Sequence, residues 1–240
     1  MKIRIKFRKY GVMKFIGHLD IMRYFQKAMR RADIDICYSG GFSPHMIMSF
    51  AAPLGVGITS DGEYLDIEVN STRSTADSLK ALNDTMVEGV EVTGYVALPD
   101  NAKTAMSIVA AADYELSFKD GYDVPAGKAA FEAAIEAFFT NASEVLVTKQ
   151  TKKSERTMDL KPLVYDFSMR EADGKPVFYL NLSTGSTDNV KPELVVEALF
   201  AHMGLEYNPS AMQIHRIDVY AATDVADTFI SLGDMGEIIS

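Results

Sequence analysis

The segment Lys14-Phe15-Ile16-Gly17-His18-Leu19-Asp20 sets an imidazole and a carboxylate two residues apart where a helix is expected to begin. A helix start offers free backbone N–H groups and the positive end of a dipole, which together favour an anion. His18 could donate to a phosphate there or act as a general base, with Asp20 orienting it or pairing with Arg23 one turn on. The plainer reading is that His18 packs locally and Asp20 only complements the dipole. A second candidate is the loop Tyr38-Ser39-Gly40-Gly41-Phe42-Ser43-Pro44-His45. Its glycines allow positive φ and close approach of a ligand. Phe42, next to Ser43, offers a ring on which a base could stack, and His45 supplies a second imidazole. The alternative is a tight structural turn with Phe42 buried. His18, Asp20 and His45 are therefore the candidates for catalysis, with no role assigned to any of them.

Basic residues supply the other candidate chemistry. The 48 N-terminal residues hold ten Lys and Arg against three Asp, whereas the whole chain of 240 residues carries a formal charge of −9. An acidic protein with one basic end suggests a polyanion site, unless the two parts neutralise each other. Arg4, Lys6 and Arg8 share one face of an alternating strand, but Asp66 and Glu68 recur on a later strand. Cross-strand Lys6–Asp66 and Arg4–Glu68 pairs would cancel much of that charge. Arg23, Lys27, Arg30 and Arg31 form a helical stripe with no equivalent acidic partner nearby, which makes it the stronger candidate. A second basic island runs through Lys149, Lys152, Lys153, Arg156 and Lys161; it reads either as a solvated hairpin tip or as part of a shared anion surface.

Composition excludes most cofactor chemistry. Hydrophobic residues make up 48% of the chain, enough for a sizeable core. Cys37 is the single cysteine, so no intrachain disulfide, all-cysteine zinc site or iron–sulfur cluster can be built from this chain alone. The four histidines are scattered, and neither HExxH, a P-loop nor GxGxxG is present. No cofactor and no metal are expected. No apolar run reaches the roughly 18 residues of a membrane span, and the N-terminus lacks a signal-peptide core, so a cytoplasmic protein without membrane contact is expected.

The elements that must position these residues follow from periodicity. Ile3, Ile5 and Phe7 alternate with Arg4, Lys6 and Arg8, which is a half-buried strand. From Leu19 the spacing becomes Leu19, Met22, Phe25, Met29 and Ala32, an amphipathic helix ending at Asp33-Ile34-Asp35. Strands follow near 46–50 and 64–69. A helix capped by Ser74 or Thr75, with Asp77 in its first turn, leads to a strand at 90–96. The order β-α-β-β-α-β is the split βαβ arrangement. It is expected to restart after 112, with strands at 114–118 and 145–148, helices at 128–139 and 192–203, a hairpin across Ala172-Asp173-Gly174-Lys175 and a last strand at 212–220. One element near 159–164 fits this scheme poorly. The expected fold is α+β: two tandem ferredoxin-like domains, antiparallel sheets with helices on one face, at 1–100 and 113–222. A connector spans 101–112 and a tail spans 223–240.

Gly17-His18-Leu19-Asp20, Arg30-Arg31-Ala32, Tyr38-Ser39-Gly40-Gly41-Phe42-Ser43-Pro44-His45 and Ser49-Phe50-Ala51 through Leu54-Gly55-Val56-Gly57 together resemble the bacterial radical SAM-linked protein family. Lys152-Lys153-Ser154 to Asp159-Leu160-Lys161-Pro162 is similar to that family's second recurring motif. Gly17 stands where the family more often shows Ser. The resemblance implies a domain of unknown function, found alone or fused to radical SAM proteins, and associated with RNA metabolism through its gene neighbours. Since radical SAM chemistry needs three cysteines, this chain would be a partner of such an enzyme. The expectation is an RNA-binding accessory module for tRNA or rRNA modification or processing. Arg23, Lys27, Arg30, Arg31, Lys152, Lys153 and Arg156 would contact phosphates, with Phe42 and Ser43 beside His18 and His45. The alternatives are a metal-independent ribonuclease or RNA transferase using His18 and His45, and a protein-interaction domain that docks a radical SAM partner without RNA.

Overall fold

The computed structural model describes residues 1–150, 155–185, 188–226 and 228–240. In chain order the elements are β1 (Lys2–Lys9), α1 (His18–Arg31), β2 (Met48–Phe50), β3 (Thr59–Glu68), α2 (Thr75–Asn83), β4 (Val90–Leu98), α3 (Ala105–Ile108), β5 (Val109–Phe118), α4 (Lys128–Ile135), β6 (Leu146–Gln150), β7 (Glu155–Asp159), β8 (Val164–Ala172), β9 (Lys175–Ser183), α5 (Pro192–His202), β10 (Met212–Ala222) and β11 (Phe229–Ser231). The fold is α+β. It divides into two compact units, residues 1–110 with 216–240, and residues 111–215.

In the first unit β1 lies between β4 and β3, antiparallel to both, and β2 pairs antiparallel with the far side of β3. The crossovers β1-α1-β2 and β3-α2-β4 therefore interleave. Ile3, Ile5 and Phe7 are buried against α1, where Phe25 is fully buried with its ring centroid 4.7 Å from that of Phe7. The buried stripe of α1 is Ile21, Phe25, Ala28 and Met29. Leu19, expected on that stripe, is exposed because, six residues before Phe25, it falls about 120° round the helix from it. Ser74 caps α2 by accepting from the Asp77 N–H at 3.1 Å.

The charged face of β1 is closed off, and its register differs from the expected one. Arg4 stands opposite Asp66, and Lys6 opposite Tyr64. The Arg4 guanidinium is 1% exposed and grips Asp66 at 2.8 Å (Nε) and 3.0 Å (Nη2). Asp66 also accepts the Ala105 N–H at the start of α3, while Arg4 donates to the carbonyl of Leu232. Lys6 reaches Asp218 on β10 at 3.0 Å, and the Tyr64 hydroxyl donates to the same carboxylate. The side chain of Arg8, half-exposed, pairs with Asp61 and Glu91. β10 neighbours β3 at Gly62, where a Cβ would lie 2.6 Å from the Cα of Asp218. Only glycine admits that approach.

In the second unit β9 lies between β5 and β8, antiparallel to both. The hairpin β8–β9 turns through Asp173 and Gly174, both at positive φ (51° and 72°), a combination that suits a two-residue turn. Phe118, Phe131, Phe178 and Phe200 pack ring to ring in its core. β6 and β7 form a separate two-stranded ladder. The element that fitted poorly near 159–164 is the end of β7 followed by a 3-10 turn, Lys161–Leu163. Among the described residues, no helix is long and apolar enough to cross a membrane.

Candidate nucleic-acid interface

The outward face of α1 carries the stripe. Arg23, Lys27, Arg30 and Arg31 are all exposed, a consequence of burying Ile21, Phe25, Ala28 and Met29 on the opposite side. Arg23 pairs with Asp20 at 3.2 Å in an exposed i,i+3 contact, which contributes little net stability. Lys27, Arg30 and Arg31 form no ion pair among the described residues, and Arg30 and Arg31 sit in the last turn, where the helix dipole favours cations. The helix ends in a Schellman turn: Asp33 adopts φ 54°, and the Ile34 N–H reaches back to the carbonyl of Met29 at 3.0 Å.

That turn sends the chain into the glycine-rich loop. An isolated bridge between Tyr38 and Met46 closes the loop. Inside it, the Ser39 N–H donates to the carbonyl of His45, and the Ser39 hydroxyl accepts the His45 N–H at 3.1 Å and meets its Nδ1 at 2.9 Å. Gly41 takes φ 98°. Phe42 and Ser43 stand out at the tip, with Phe42 fully exposed at 112%. The reading of Phe42 as a buried turn residue is thereby corrected: a loop tied at its base leaves its tip no core to reach.

His18 is the first residue of α1, after Gly17, and is half-buried. Its ring stands edge-on to Phe50 at 5.3 Å. It lines a narrow crevice with Phe7, Lys9, Leu54 and Glu63. The Lys9 ammonium donates to the carbonyl of Ile16 at 2.6 Å, and burial pushes its pKa down. Glu63 is held by Arg216 at 2.7 Å and 2.5 Å, with both side chains almost wholly buried. The structure does not bring the two imidazoles together: His18 packs on Phe50, and His45 bonds within its own loop.

Of the second basic island, Lys152 and Lys153 lie outside the described residues, and Arg156 is placed on β7 by its backbone only, opposite Lys149. The Lys161 ammonium donates to the carbonyls of Phe139 and Thr140 and lies 4.7 Å from the Phe139 ring centroid. Its charge is thus turned toward a helix end. Among the described residues, no group of three or more His, Cys, Asp or Glu is placed to hold a metal ion.

Sequence reasoning missed two features. The first is the set of internal ion pairs Glu63–Arg216 and Lys6–Asp218, whose one visible trace was the polar residues recurring inside otherwise apolar strands. The second is a cleft of about 570 Å³ in the first unit. Arg30 and Tyr38 line it, linking the end of the basic stripe to the base of the Phe42 loop.

Comparison with solved structures finds a chain from a crystal structure of a Cbf5-Nop10-Gar1 complex, 12% identical, with 90% of this chain and 48% of that one covered and a TM-score of 0.47. This chain therefore spans about half the length of that one. An unknown protein from Galdieria sulphuraria is 11% identical, with 92% and 98% covered and a TM-score of 0.22. Neither likeness is close enough to extend to function. Among curated proteins no match was found. The sequence model of one family matches residues 2–192, and the chain belongs to that family, described as an uncharacterized protein conserved in bacteria, DUF2344.

Proposed function

We propose that the first unit is an RNA-binding module that lays the phosphate backbone along α1 and stacks a base on Phe42, serving a radical SAM enzyme. The observation that carries this reading is a contrast within one unit. Arg4, Lys6 and Arg8 on β1 are matched by carboxylates, whereas Lys27, Arg30 and Arg31 face solvent with no ion pair among the described residues, on the helix whose end leads into the loop that carries the fully exposed Phe42. Exposed cations next to an aromatic platform are the chemistry of single-stranded nucleic acid binding. The radical SAM partner rests on the resemblance of the Gly17–Asp20 and Tyr38–His45 motifs. Both units are read as ferredoxin-like, a reading supported by the interleaved crossovers of the first.

The test is binding to bulk RNA as salt is varied. Four cations on phosphates give a log–log slope of about −2.8 on single strands. An undetectable affinity at low salt, or one independent of salt, overturns the reading.

A second reading is favoured by a separate surface. Val12, Phe15, Leu19 and Val56 are each more than half exposed, and the Gly57 N–H bonds the carbonyl of Lys14, which holds the 55–57 turn against the 11–15 turn. A protein partner would cover such a patch. Co-purification with a partner that survives nuclease treatment, and is lost in Phe15→Ser, supports it.

A further inference from the structure

We propose that the cleft beneath Arg30 holds one ribonucleotide of the bound strand, and that Asp35 reads its 2′-hydroxyl, so that the site prefers RNA to DNA. This deepens the RNA reading above and rests on it. Six residues make the chemistry: Arg30, Asp35, Tyr38, Arg73, Ser78 and Tyr95 all line the same space. At about 570 Å³ it has the size of a small-molecule site.

The two guanidiniums supply the phosphate contact. Arg30 has no ion-pair partner among the described residues. Among the described residues, Arg73 is held only by the carbonyl of Asp33 at 3.1 Å and by that residue's carboxylate, itself 98% exposed, at 3.5 Å. A phosphate would compete readily with so loose a pair, and the planar fork of arginine suits it. Tyr38, half-exposed at the wall, offers a ring to the base.

Asp35 supplies the discrimination. The Asn70 amide donates to its Oδ1 at 2.9 Å and the Ser71 hydroxyl to its Oδ2 at 2.8 Å. These two bonds fix the carboxylate's orientation and, the Asn70 bond first, hold its pKa below the ordinary value, so it remains a pure acceptor. The Ser71 backbone N–H is a weaker third donor, so the carboxylate, with about four acceptor sites in all, still keeps one open. A ribose 2′-OH can donate to it; a deoxyribose has nothing to donate, and the 2′-OH is what lets a protein tell RNA from DNA. Deeper in, the hydroxyls of Thr72 and Tyr95 bond each other at 2.8 Å, while the hydroxyl of Ser78, a residue only 1% exposed, has no partner among the described residues. An orphaned hydroxyl in a cleft wall is unusual and marks a polar position left for a ligand.

The experiment compares one oligonucleotide sequence made as RNA, as DNA and as 2′-O-methyl RNA, with the full chain at low salt. RNA is expected to bind roughly tenfold tighter than the other two, the size of one charge-assisted hydrogen bond. Asp35→Asn, which keeps the side chain's shape but removes the charged acceptor, is expected to bring the three within about twofold. Equal binding of all three by the unaltered protein, or a preference that survives Asp35→Asn, overturns the inference. A ribonucleoside 5′-monophosphate and its 2′-deoxy form separate the two failures. If RNA and DNA bind equally, the cleft is not a ribose reader but the phosphate-binding reading stands. If the ribonucleotide alone binds and no polymer does, the RNA reading fails while the cleft's preference stands.

Discussion

Glu63 and Arg216, 153 residues apart in the chain, meet in a two-pronged ion pair with side chains only 5% and 3% exposed. Arg216 also donates to the carbonyl of Ala52. A charge buried this deeply is stable only while its partner remains. Glu63→Ala is therefore expected to destabilise the protein by about 3–5 kcal/mol, read from the midpoint of urea unfolding. A loss under 1 kcal/mol would mean that Arg216 finds water or another partner.

Gly62 is the second structural keystone. An added methyl would lie 2.6 Å from the Cα of Asp218 and 2.7 Å from the carbonyl oxygen of Ile217, both backbone atoms that cannot step aside. Gly62→Ala is expected to cost about 1–3 kcal/mol through overpacking, seen as a lower thermal midpoint. The same change at Gly40, with nothing within 4 Å of the added methyl, is expected to leave the midpoint unchanged.

The two sets of cations should separate by experiment. Lys27→Ala, Arg30→Ala and Arg31→Ala combined are expected to change stability by less than about 0.5 kcal/mol per site, while lowering the RNA salt slope by about 2. Arg4→Ala strips Asp66 of its buried partner and is expected to unfold much of the protein. Phe42→Ala should be silent in stability and weaken RNA binding by about 1–3 kcal/mol.

Asp166 on β8 offers a pH test. Its pKa is raised, first by burial and then by the nearby charge of Asp113, against a backbone hydrogen bond from Phe167 that lowers it. The folded protein thus holds this proton more tightly than the unfolded chain, whose carboxyl titrates near 3.8. Its contribution to stability is greatest below that value and falls as pH rises through the raised folded value. Asp166→Asn is therefore expected to stabilise the protein at neutral pH and to flatten the acid limb of its stability profile. An unchanged profile would show that water reaches this carboxylate freely.

What could be read from the chain was local. The alternation of Ile3 to Arg8, the cationic side of α1, the Ser74 cap and the Asp173-Gly174 turn depend on neighbours within a few residues, and periodicity encodes them. What escaped was long-range. The partner of Arg4 was misassigned because a shift of two residues in pairing leaves the same side chains on the same face, so alternation alone cannot choose Asp66 over Glu68. The partner of Lys6 lies on a strand more than two hundred residues away. The cleft joins a helix end, a loop near 71–73 and two further elements, none of which carries a motif by itself. Phe42 was ambiguous because an aromatic residue between glycines fits a buried turn as well as an exposed tip.

The first unit is discontinuous in sequence: residues 1–110 need 216–240 to finish it. During synthesis Lys6, Glu63 and Tyr64 leave the ribosome long before Arg216 and Asp218 exist to receive them. The basic N-terminal segment must therefore wait, with its inner charges still hydrated, until residues 216–218 have been made. A chain halted before residue 216 would carry every cation of the α1 stripe yet lack the strand that locks their scaffold shut.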